Sequence, residues 1–198
     1  MWVCVYAIAM AAVESAVVVY LRALHPVDAP VAALLAVIPE RLVAIEIGRE
    51  AATIVMLLAV AVLAAEDPWE RFLYFAITFG AWDLAYYGWL WVYIAWPPSP
   101  LTWDVLFLIP VPWLSPVLAP VLVSIGLVIG GSWLLASRRR LSRLAWGLAV
   151  AGVAVVLLSF TLDYHYVVER VEPPGYRWGL FTAGMALGVS ALGFTRRA

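Results

Sequence analysis

The chain has 198 residues, 66% of them hydrophobic and 13% charged, with a formal net charge of −1 and a mean hydropathy of +0.98. Water-soluble domains are about half apolar and a quarter charged, so this composition excludes one. The near-neutral balance gives no electrostatic footing for nucleic acid, and the lone Cys4 excludes an internal disulfide or a cysteine-based metal cluster.

Apolar runs long enough to cross a hydrocarbon core recur along the chain. They predict an all-α integral membrane protein, one polytopic domain over 1–198. The expected form is a six-transmembrane-helix bundle with spans near 2–24, 41–65, 69–96, 113–136, 143–166 and 176–195. The opening MWVCVYAIAM has no basic residue, and its apolar run is longer than a signal peptide's, so it reads as a retained span. That span ends at Arg22, before the turn-rich HPVDAP with His25 and Asp28. Pro39 and Glu40 open the second, a proline at a helix start and an acid in the first turn. AEDPWE (65–70) is a tight loop before the third span, which closes at WPPSP.

The stretch LTWDVLFLIPVP (101–112) is apolar but too short to span, and Pro98, Pro100, Pro110, Pro112, Pro116 and Pro120 surround or break it. It predicts a short interfacial or re-entrant helix on the outer side near 101–111. SRRRLSR ends the fourth span, and VEPPG separates the fifth from the sixth. GLVIGG (126–131) and GMALG (184–188) carry the small-residue spacing of close helix contacts.

Arginine supplies orientation, because all 12 basic residues are arginine and lysine, asparagine and glutamine do not occur. That usage fits high-GC coding or a thermophile. With the N-terminus inside, Arg71, Arg138, Arg139, Arg140, Arg143, Arg196 and Arg197 fall on the inner side, against Arg22, Arg41, Arg170 and Arg177 outside. The positive-inside rule then places both termini in the cytoplasm and the chain in a bacterial inner (cytoplasmic) membrane, with the lipid bilayer as its first partner. Trp133 and Trp146 flank the basic loop, while Trp89, Trp91, Trp96, Trp103 and Trp113 crowd the other interface.

Against this apolar background stand Glu14, Glu46, Arg49, Glu50 and Asp83. A charge at mid-bilayer costs about 2.5–3.5 kcal/mol, so such residues face the bundle interior and serve a function. At 1.5 Å per residue the four acids lie roughly 12, 8, 14 and 9 Å below the outer interface, one layer across three helices. Glu46 and Glu50 share a helix face with Arg49 and Thr53, and Tyr86 and Tyr87 follow Asp83 at i+3 and i+4. Two carboxylates about 6 Å apart at an effective dielectric near 20 repel by roughly 3 kcal/mol. Arg49 offsets one negative charge, leaving the rest to protons or a cation.

The candidate catalytic set is therefore Glu14, Glu46, Arg49, Glu50, Asp83, Tyr86 and Tyr87. A candidate metal set adds Asp163 and His165 of LDYHYVVER to Glu46, Glu50 and Asp83. An oxygen-rich donor set calls for one divalent ion, Mg²⁺, Mn²⁺ or Ca²⁺ ahead of iron, because the paired ExxH motifs of carboxylate di-iron bundles are absent. The first functional expectation is a membrane enzyme open to the extracytoplasmic side that acts on a lipid-soluble substrate. In it Glu50 or Asp83 is acid, base or ligand, Arg49 holds an anionic group, and a tyrosine positions protons. The alternative is a proton- or cation-coupled transporter or channel. A third expectation is a non-catalytic subunit, which adds a homo-oligomer or a larger membrane complex to the expected partners. No HExxH, P-loop or GxGxxG motif occurs to point elsewhere.

Overall fold

The computed structural model describes residues 2–24, 40–169, 171 and 173–197; His25, Asp28, Pro39 and Arg170 lie outside them. Its elements are α1 (Trp2–Leu24), α2 (Glu40–Ala64), α3 (Pro68–Ile94), β1 (Trp103–Val105), β2 (Leu114–Pro116) and α4 (Leu118–Ser137). They continue with β3 (Arg139–Leu141), α5 (Arg143–Thr161), α6 (Tyr164–Glu169), α7 (Trp178–Ala191), a 3-10 turn (Leu192–Phe194) and β4 (Thr195–Arg197).

Four helices are long and apolar enough to cross a membrane: Trp2–Leu24, Arg41–Ala64, Leu118–Ser137 and the α5–α6 stretch Arg143–Val167. These mark a membrane protein, although the expected six spans become four on length and composition. α3 has 27 residues, but Glu70, Arg71, Asp83 and many indole and phenol rings dilute its apolar character. α7 is apolar but only 14 residues long. Side chains such as Leu63, Ile129 and Val150 project from the bundle's outside, where a hydrocarbon solvent accepts them at no cost.

α3 is the centre of the first packing group and contacts α1, α2 and α4. Asp67 caps it, accepting from the Trp69 and Glu70 amides at 2.8 and 3.2 Å, with Pro68 in the first turn. Ala7, Met10, Ala11, Leu57 and Trp82 form the core between α1, α2 and α3. A Cβ on Gly80 would stand 2.7 Å from the Ser124 carbonyl, so only glycine lets α3 lie this close to α4. α5 and α7 make the second tight crossing, where a Cβ on Gly152 would meet the Gly184 carbonyl at 2.8 Å. The close contact expected of GMALG is thus made to α5.

Residues 101–116 depart from the expected short helix: they form a β-hairpin. Asp104 pairs with Ser115 in an antiparallel register, and Leu106 and Trp113 extend the ladder at 2.8 Å. Helix fails here because Pro110, Pro112 and Pro116 each lack an amide proton and clash with the preceding turn. The hairpin reaches back along α3. Phe107 stacks on Phe79, which lies 15 residues before the end of α3 and so ~22 Å along its axis.

The end of the bundle carrying Trp2 and Arg197 is closed by a second strand pair, β3–β4, with Arg139 opposite Arg197 and Arg140 opposite Arg196. Arg140 also reaches Asp67 at 2.8 Å and holds that carboxyl below its ordinary range. The fifth apolar run is not one uninterrupted helix. It breaks at Leu162–Asp163, where α5 ends and α6 begins.

Candidate functional site

α1 delivers Glu14 into the bundle, 5% exposed, with Ser15 beside it at 0%. The Ser15 hydroxyl bonds back to the Ala11 carbonyl at 2.8 Å and lies 3.0 Å from that of Tyr86, which fixes α1 against α3. α2 contributes Glu46, Arg49, Glu50 and Thr53 from successive turns of one face, as their spacing requires. The Arg49 guanidinium is ion-paired with both Glu14 and Glu46, and its Nε donates to Glu46 Oε2 at 2.9 Å. The Thr53 hydroxyl lies between Glu14 and the Arg49 carbonyl, within hydrogen-bonding reach of both.

The remaining acids have neutral donors instead. The Leu108 amide donates to Glu50 Oε2 at 2.9 Å, the Ser124 hydroxyl to Asp83 Oδ2 at 2.7 Å, and the Tyr87 hydroxyl to Asp104 Oδ2 at 3.1 Å. All three carboxyls are buried. Burial pushes the Asp104 carboxyl of the hairpin up from 3.8 to about 7, against the pull of Arg22 and of its hydrogen bonds. The Arg22 guanidinium sits 4.1 Å above the Trp96 ring, which in turn stacks on Tyr87.

These groups surround a cavity of about 100 Å³, large enough to admit water. Glu14, Glu46, Arg49, Glu50, Asp83, Tyr86 and Tyr87 all line it, joined by Arg22, Thr53, Asp104 and residues 105–108. Five acids thus face two arginines. Trp82 lines it too, and its indole N–H has no acceptor among the described residues.

The candidate metal set is not brought together. Asp163 does not line this cavity; at 3% exposure it is clasped by Arg177 through three contacts of 2.9 to 3.2 Å. The His165 ring lies 4.2 Å from that of Tyr166, tilted against it, and is likewise absent from the lining. Among the described residues no three His, Cys, Asp or Glu side chains converge to hold an ion. Of the five expected ligands, Glu46, Glu50 and Asp83 share the cavity, while Asp163 and His165 stand apart from it.

Three participants have no clear sequence signal. Ser124 is one hydroxyl in an apolar helix, Arg22 reads as a loop-boundary charge, and Asp104 reads as an outer-mouth residue until the hairpin carries it inward. No protein-family model, curated protein or solved structure matches the chain.

Proposed function

We propose that this is a proton-coupled membrane transporter whose proton-carrying groups are Glu50, Asp83 and Asp104. The observation that supports it most is the division of labour in the cavity. Arg49 is committed to Glu14 and Glu46, while the other three acids hold only neutral donors from the hairpin, α4 and α3. A carboxyl with one neutral partner exchanges a proton without breaking an ion pair, and protons need no converging ligand cage.

In this proposal the chain crosses a cytoplasmic membrane six times with both termini inside. α3 supplies the third crossing. α7 and its 3-10 turn supply the sixth, ~27 Å from 17 residues at 1.5 to 2.0 Å each, close to a hydrocarbon core of about 30 Å. The cavity then opens toward the outer side, and Ala7, Met10 and Leu57 close it toward the inner side.

The test is reconstitution into liposomes loaded with a pH-sensitive dye, with an imposed potential or an inward gradient of Na⁺, K⁺, Mg²⁺ or Ca²⁺. Wild-type protein moves protons under at least one of these gradients. Glu50→Gln, Asp83→Asn and Asp104→Asn lower that flux to the level of protein-free vesicles while eluting as the same monodisperse species. Flux equal in all three variants, or no flux in the wild type, would overturn the proposal.

The enzyme reading has one supporting observation. α1 and α2 pack sparsely, and at their seam the Glu46 and Arg49 side chains remain 18% and 25% exposed. A lipid-soluble substrate could enter between them, and its turnover without proton flux would favour that reading.

A further inference from the structure

The strand pair at the termini end sets like charges face to face. β3 and β4 run antiparallel with Arg139 opposite Arg197, and side chains directly opposite on such a pair share one face. The Arg139 guanidinium donates to Thr195 Oγ1 at 3.1 Å on that same face. It also lies 5.6 Å from the centre of the Trp133 ring. Arg140 and Arg196 occupy the other face, where Asp67 compensates Arg140. Among the described residues no acidic side chain is ion-paired with Arg139 or Arg197. Like charges directly opposite are destabilising, yet the pairing closes the bundle here.

The level of this face in the membrane is marked by its neighbours. Trp133 and Trp146 are about two-fifths exposed, and Trp146 packs on Trp69 and Phe72. Such amphipathic rings lie among lipid headgroups. Arg138 and Arg143 flank the strand and are exposed. Two guanidinium forks at cross-strand distance, about 5 Å between Cβ atoms, can together hold a phosphate with parallel N–H···O bonds.

We propose that the Arg139–Arg197 face is a binding site for the phosphate of an anionic phospholipid in the adjacent leaflet. The lipid supplies negative charge that no acidic side chain among the described residues brings to this face, so the β3–β4 closure is completed by the membrane itself.

The experiment measures thermal unfolding of the full chain in zwitterionic micelles. It is repeated with added phosphatidylglycerol, with phosphatidylcholine and with inorganic phosphate. Phosphatidylglycerol raises the Tm of wild type; phosphatidylcholine and inorganic phosphate do not. Arg197→Gln and Arg139→Gln show the reverse ordering of a structural arginine. Both lose the phosphatidylglycerol increment, and Arg197→Gln, which leaves the contacts of Arg139 with Thr195 and Trp133 in place, is as stable as wild type or more so without anionic lipid because repulsion is relieved. An equal increment in the variants would overturn the site, and an equal effect of inorganic phosphate would overturn its lipid character. If Arg197→Gln is less stable than wild type in zwitterionic micelles, the arginines are structural and the proposal also falls.

Discussion

Arg49 is the one cation ion-paired with the cavity's acids among the described residues. Replacing it by leucine leaves Glu14 buried without a counter-charge, and breaking a buried pair from one side costs about 3–5 kcal/mol. With a quarter of the Arg49 side chain exposed, the expected loss is about 3 kcal/mol. Denaturant unfolding in mild detergent checks this, and adding Glu14→Leu should recover most of the loss. A stable single variant would show that Glu14 does not depend on Arg49. Asp104 gives a pH signature of known sign. Its carboxyl sits at about 7 in the folded protein against 3.8 ordinarily, so the folded state binds more protons between those values. Stability therefore declines as pH rises from about 4 through about 7. A Tm profile over that range should be less steep in Asp104→Asn, and an unchanged slope would assign the titration to other groups. At this scale the sequence was legible in part. The shared depth of Glu14, Glu46, Glu50 and Asp83 follows from the rise per residue and the alternation of helix direction. Their partners do not, because a Ser124 hydroxyl or a Leu108 amide carries no pattern until the fold brings it near.

At the scale of elements, the glycine contact between α3 and α4 bears on the site. Gly80 faces the carbonyl of Ser124, whose hydroxyl serves Asp83. Gly80→Ala forces the helices apart and should cost about 1–3 kcal/mol, the usual range for overpacking. Under the proposed function it should also weaken the proton flux assigned to Asp83, so that stability and transport fall together. Wild-type stability in Gly80→Ala would mean that α4 shifts freely and that Ser124 is not held in place by this contact. The helices themselves were readable as apolar runs, and α1 matches its expected limits. The hairpin was not, because an apolar stretch of about a dozen residues gives helix and strand the same hydropathy; its prolines argued against a helix but did not name the alternative. The break between α5 and α6 was equally hidden. No glycine or proline marks it; Asp163 stands in the two-residue turn between the helices and is held by Arg177 from the start of α7, a partner 14 residues away.

Across the whole molecule, helices divide into a group around α3 and the α5–α7 pair, with the cavity entirely within the first group and its hairpin. Composition reveals the membrane class because every outward face must be apolar. It does not reveal the division of packing, since lipid-facing and helix-facing apolar residues are the same residue types. The sparse seam between α1 and α2 bears on how the protein is made. α2 enters the membrane carrying Glu46, Arg49 and Glu50, but the second acid that shares Arg49 stands on α1 and the amide that satisfies Glu50 belongs to Leu108. During synthesis Leu108 follows Glu50 by 58 residues, about 3 to 12 s at 5–20 residues per second. Over that interval Glu50 lacks the amide that meets it in the folded chain, whereas Glu14, the partner of Arg49 on α1, has already been made. The cavity is thus completed in chain order: α1 and α2 carry its ion pairs, and the hairpin supplies the last donor.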